Sequence, residues 1–224
     1  MMRLLNVVAA VSIAVLSTGC VRTSHKLSEV GETVTDDEIV GVWEKHDPIF
    51  GVRESDRICI EARDDGRYEM RSIDPSKAGV TPFRLVNAAD GVFMEYDLHE
   101  MLYEDAFKLK EKDLKATQSL MKEAGFLFPA RWERRGEWMA QWDPDSAVVN
   151  RLIQEGKLKG HSNGNWPLEI VVTSTAEELE TCLKEYGDEI YAAAVNDSRG
   201  HLRSVYRRVS TQVPAKPTEL TTSP

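Results

Sequence analysis

Short segments of alternating polarity, cut apart by turn residues, constrain this chain more than any other feature. IVGVWEK (39–45), RICIEAR (57–63), RYEMRSI (67–73), FRLVNA (83–88) and VFMEYDL (92–98) each run six or seven residues. Their partial alternation places apolar and polar side chains on opposite faces of a strand. Asp64-Asp65-Gly66 and Asp90-Gly91 between them read as hairpin turns. Further on, FLFPARWER (126–134) sets Phe126, Phe128, Ala130 and Trp132 at period two, and Gly136 turns the chain into EWMAQW. There Trp138, Ala140 and Trp142 alternate in their turn, and the spacing predicts that these tryptophans and alanines wall a core. LRSVYRRV (202–209) reads as the last strand.

Helical spacing interrupts the strands in three places. Leu114, Thr117, Met121 and Ala124 predict a helix over 111–124. Asp145-Ser146 can cap a second, carrying Val148, Val149, Leu152 and Ile153 and ended by Gly156. In STAEELETCLKEYG, Ser174 with Glu177 or Thr175 with Glu178 makes a capping box. Leu179, Cys182, Leu183 and Tyr186 then form one apolar stripe that Gly187 closes, and the preceding PLEIVVTS reads as a central strand. About nine short strands with two or three short helices predict a β-rich α+β fold. Its expected form is an antiparallel barrel or a strongly curved sheet.

The start of the chain has a different character. Arg3 is followed by an almost unbroken apolar run from Leu4 to Leu16, then by Ser17, Thr18, Gly19 and Cys20. This is the pattern of a secretory signal peptide, and the run is too short to span a bilayer. Leu16-Ser17-Thr18-Gly19-Cys20 resembles the lipobox of bacterial lipoproteins. The resemblance implies removal of residues 1–19 and a diacylglycerol on the Cys20 thiol, so that acyl chains anchor the protein without a spanning helix. It also implies a cell-envelope location. If the organism has an outer membrane, Val21 in place of an aspartate directs the protein there, facing the periplasm. Residues 20–37 are polar and poorly periodic and read as a flexible tether to a single domain over 38–209. The Pro-, Ser- and Thr-rich 210–224 reads as a disordered tail.

Charge and cysteine content narrow the partners. The formal net charge is −9, one unit more negative without Arg3, which disfavours nucleic acid and any electrostatic hold on an anionic membrane. Cys59 and Cys182 remain once Cys20 is lipidated. An oxidising envelope permits a disulfide between them, the alternative being two buried thiols. Neither has a metal-like neighbour at short spacing, so no metal is expected. Gly160-His161-Ser162-Asn163-Gly164 fits the letters Gly-x-Ser-x-Gly, but it lies in the polar stretch KGHSNGNW, which reads as a flexible hairpin connection. The chain carries no Walker loop, His-Glu-x-x-His or dinucleotide fingerprint. The five histidines stand alone, and Asp143-Pro144-Asp145 reads as a helix start rather than a carboxylate pair. No cofactor and no enzymatic reaction are expected.

Ile39-Val40-Gly41-Val42-Trp43, followed by an apolar strand and Asp64-Asp65-Gly66-Arg67-Tyr68, resembles the opening of lipocalin-like domains. The resemblance implies a barrel whose closed end is plugged by Trp43, with an arginine of the last strand lying across the indole. Val205 and Val209 flank Arg207 at period two, so alternation assigns Arg207 to the inner face as that partner and sends Arg208 outside. Two functional classes follow: a lipid-anchored module holding a small apolar ligand, or a structural or assembly partner of other envelope proteins with a filled core. A barrel of about eight strands admits either.

Overall fold

The computed structural model describes residues 21–47, 51–74, 80–96, 125–162, 170–192 and 203–214. The first strands are β1 (Val21–Thr23), β2 (Glu32–Val34), β3 (Gly41–Asp47), β4 (Gly51–Ala62) and β5 (Tyr68–Ser72). Next come β6 (Val80–Ala88), β7 (Gly91–Tyr96), β8 (Phe126–Leu127), β9 (Ala130–Arg135) and β10 (Trp138–Trp142). Helix α1 (Ser146–Gln154), strands β11 (Gly160–Ser162) and β12 (Ile170–Val172), helix α2 (Ala176–Ile190) and β13 (Arg203–Ser210) complete the order. The helix expected over 111–124 lies outside the described residues.

Eight of these strands close an antiparallel barrel in the order β6-β5-β4-β3-β13-β10-β9-β7, with the β6–β7 ladder completing the ring. The lipocalin-like expectation of a closed antiparallel barrel therefore holds. Turn chemistry drives the hairpins. Gly66 takes φ +74° after Asp64-Asp65, and Ala89 and Asp90 both take positive φ between β6 and β7. That second turn lies one residue earlier than Asp90-Gly91 suggests, because Gly91 already pairs with Ala88. Gly41 opens β3 at φ +141°, where a Cβ would stand 2.5 Å from the Ser210 carbonyl oxygen. Only glycine admits the last strand so close.

Among the described residues, twelve buried side chains form the barrel core, including Trp43, Phe83, Tyr96, Trp132 and Tyr206, with Ile39 of the capping turn, and none is more than 9 % exposed. A second core lies outside the wall. Val86, Ala88 and Phe93 point outward from β6 and β7 and meet Val149, Leu152, Leu179, Cys182 and Leu183 of the two helices. A small sheet of order β11-β12-β1-β8 completes this layer. The local signals for both helices are present. Asp145 caps α1 through Ala147 N–H at 2.8 Å, and Thr175 with Glu178 forms the capping box of α2. Gly187 does not stop α2, which runs on so that Ile190 and Tyr191 can enter the second core.

The structure corrects the reading of 20–37 as a tether. Val21, Leu27 and Thr23 are buried, and β1 pairs in parallel with β12 and antiparallel with β8. The Ser28 backbone N–H and hydroxyl both donate to the buried Glu95 carboxylate, at 2.9 and 2.8 Å. β2 then continues the β6 edge at Leu85–Asn87 beyond the reach of β5. The segment is too short for its periodicity to show, and tertiary contacts decide its conformation. The tail expectation is corrected in part: Ser210 ends β13, and Arg71 donates to the Pro214 carbonyl at 2.8 Å. Residues 215–224 lie outside the described residues.

The disulfide between Cys59 and Cys182 does not form; both thiols are free and buried. Cys59 faces outward from β4, in a cross-strand row with Ser210, Val42 and Arg71. Cys182 sits in the second core against the β6–β7 side of the wall. Burial pushes the Cys182 thiol up to about 11 and raises Cys59 as well, Arg71 countering it, so neither is a reactive thiolate.

Leu27 tests the structural role of the N-terminal segment. It is almost fully buried in the second core, so Leu27→Ala should cost about 2–5 kcal/mol in urea unfolding. A residue in a tether would cost nothing measurable.

Candidate functional site

The two ends of the barrel differ in chemistry. At the end where β3 begins and β13 finishes, the indole of Trp43 is fully buried and its N–H donates to the Ile39 carbonyl at 2.7 Å. The short turn Asp37–Ile39 lies over this end and is clamped from the barrel. Arg134 reaches Asp36 at 2.8 Å and Glu38 at 2.7 Å, and the Asp36 N–H donates to the Tyr68 phenol at 2.6 Å. The arginine over Trp43 is Arg208, its guanidinium carbon 5.0 Å from the ring centroid, and it also donates to the Glu38 carbonyl. A last-strand arginine does cover the first-strand tryptophan, but it is not Arg207.

Arg207 is on the outer face, 5.9 Å from the ring of Trp138. The valines misdirect the assignment. Val209 is 44 % exposed and Val205 faces outward with Arg207, whereas Tyr206 and Arg208 turn inward. A pairing cue existed: register sets Arg208 directly opposite Trp43, and Tyr206 opposite the buried Met139.

The opposite end, where β7 and β10 finish, carries polar groups on the inner face. The Gln141 amide donates to the Asp143 carboxylate at 2.9 Å and also bonds the Tyr96 phenol. Lys45 and Tyr206 approach the same cluster. Burial holds the Asp143 carboxyl above the ordinary aspartate value, against the pull of Gln141 and Lys45. Burial likewise drives the Tyr96 phenol far above its usual range. Beside Gln141 in the ladder stands Trp132, whose indole N–H is buried without a hydrogen-bond partner among the described residues. Asp143 is therefore more than the helix start it resembles; Asp145 does the capping and Asp143 points to the barrel.

The expected core wall of Trp132, Trp138 and Trp142 also divides. Trp132 and Ala130 are interior, but β10 presents Met139 and Gln141 inward, so Trp138 and Trp142 stand outside. Trp142 packs on the second core, while Trp138 is 43 % exposed. His46 meets Trp138 edge-on at 5.7 Å. Trp138, Ala140, Val205, Glu133 and Arg135 border a depression of about 340 Å³ on the outer wall. Among the described residues no group of three His, Cys, Asp and Glu side chains is arranged to hold a metal ion. His99 lies outside the described residues. No protein-family model, curated protein or solved structure matches the chain.

Two outcomes follow from this geometry. Arg208→Ala should destabilise clearly more than Arg207→Ala in parallel urea titrations. The first removes a cation–π contact worth about 0.5–2 kcal/mol over a buried ring, together with the packing of its stem; the second removes a contact to an exposed one.

Asp143 supplies a pH test. A carboxyl with a raised folded-state pKa favours folding most at low pH, and loses that contribution as pH rises through the folded value. Asp143→Asn should therefore be more stable than the parent at pH 7. The gap should close as pH falls toward about 4, the ordinary aspartate value. A gap that does not change with pH would remove the buried charge as its cause.

Proposed function

We propose that this is a lipid-anchored protein of the cell envelope that acts as a structural or assembly partner of other envelope components, working through its surface rather than carrying a small apolar ligand. The observation that carries the reading is the filled barrel. Side chains from all round the ring occupy the interior, and Trp43 with Arg208 plugs one end. A carrier of drug-sized apolar molecules needs a cavity of several hundred Å³ lined by apolar groups. The polar cluster of Gln141, Asp143 and Tyr96 is also a poor lining for such a cargo. The partly exposed Trp138, flanked by His46 and Arg207, is the kind of amphipathic anchor that protein interfaces favour.

The anchor belongs to the same proposal. Among the described residues no helix is long and apolar enough to cross a membrane. The lipobox-like Leu16–Cys20 places diacylglycerol on Cys20, and Val21 directs the protein to an outer membrane, facing the periplasm, where the organism has one.

Mass spectrometry of small molecules that co-purify with the natively expressed protein tests the function, and no species near one per chain is expected. A stoichiometric apolar ligand would establish the carrier reading instead. For the anchor, Cys20→Ser should leave an unprocessed precursor that no longer partitions into detergent. Normal processing and partitioning of that variant would remove it.

A further inference from the structure

We infer that the barrel is held with its Gln141–Asp143 end against the membrane and its Trp43–Arg208 end away from it; this rests on the lipidation of Cys20 proposed above. The inference comes from where the fold begins. Val21, the residue next to Cys20, is only 6 % exposed and pairs with Ile170 in the β1–β12 ladder. An acyl group on Cys20 is therefore one peptide link, about 3.8 Å between α-carbons, from a buried strand. A flexible tether over 20–37 would reach roughly 20–25 Å and let the domain tumble. A one-residue link forces the surface around Val21 onto the headgroups.

That surface can be located. The Val21 carbonyl accepts from the Phe128 N–H at 3.0 Å, and Phe128-Pro129 leads straight into β9 at Ala130. Ala130 pairs with Met94 near the finish of β7, and β10 finishes at the same end. The close of α2 is there too: the Tyr191 phenol donates to the Pro129 carbonyl at 2.6 Å, and Arg131 holds Asp188 at 3.0 Å. The turn Gly136–Glu137 sits at the other end, a strand length away. Five residues of β10 at about 3.4 Å each make that roughly 17 Å. The chain is acidic, so the covalent link rather than charge attraction imposes the contact.

The test uses the full lipidated chain in vesicles of phosphatidylethanolamine and phosphatidylglycerol. Single thiols are introduced by Asp188→Cys, at a 98 % exposed side chain, or by Glu137→Cys, and labelled with a fluorophore; the buried Cys59 and Cys182 serve as unlabelled background in the native state. Energy transfer to acceptors on the lipid headgroups should place position 188 nearer the bilayer by roughly 13 Å, the length along the strand projected at a barrel tilt of about 40°. A long Gly/Ser insert between Cys20 and Val21 should abolish the difference. Equal or reversed distances in a chain whose acyl mass is confirmed would overturn the orientation and leave the anchor standing. A chain that never acquires acyl mass overturns both.

Discussion

The Trp43 indole is held by groups from two distant parts of the chain. The Ile39 carbonyl takes its N–H, and the Arg208 guanidinium lies over its ring. One contact thus ties the first barrel strand to the last and draws the turn at Asp37–Ile39 over the barrel end, where Arg134 fastens it to Asp36 and Glu38. Gly41 belongs to the same device, because the Ser210 carbonyl passes where its side chain would be. Ring closure leaves no open edge on these strands, so the barrel interior can be a packed core, with the Arg134 and Arg208 contacts capping one end and the Gln141–Asp143 cluster lining the other.

Much of the barrel was legible in local pattern. Period-two alternation and Gly-containing turns marked the strands, and the capping residues of both described helices were readable in place. What failed was parity. In β10 and β13 the outward face carries Trp138, Trp142, Val205 and Val209 with Arg207, whereas the inward face mixes Met139 and Tyr206 with the polar Gln141, Ser204 and Arg208. Inference from hydrophobicity alone therefore inverts both strands together, and the site assignment moves from Arg208 to Arg207. The second core explains part of this, since Trp142 is buried against it from outside. A wall with apolar groups on both faces has no reliable sidedness in sequence. The choice left open at the cysteines, bridge or two buried thiols, has the same root: spacing does not say that Cys182 enters the second core while Cys59 faces outward from β4.

The N-terminal segment shows a different limit. Residues 21–39 contribute three-residue strands and single turns, too short for any period to register. Their order comes from long-range partners: Glu95 for Ser28, Ile170–Val172 for β1, and the β6 edge for β2. That segment changes the meaning of the lipobox-like motif. A lipid on a long tether only localises a domain, whereas a lipid one residue from a paired strand would also orient it. On the proposed anchoring, a filled interior and an oriented barrel would leave the outer wall and the Trp43–Arg208 rim as the working surface.

The ladders joining the ends of the chain also set a temporal order. β1 finds its parallel partner only at residues 170–172, and β3 finds one of its two neighbours only in β13. Neither the second core nor the ring can complete until the C-terminal part of the chain is present. The fold is consequently one of high contact order, with slow loop closures preceding the contacts that reward them. A chain exported from its N-terminus would cross the membrane with its first strands unpaired. It would acquire its native form only after synthesis of the last strand was finished.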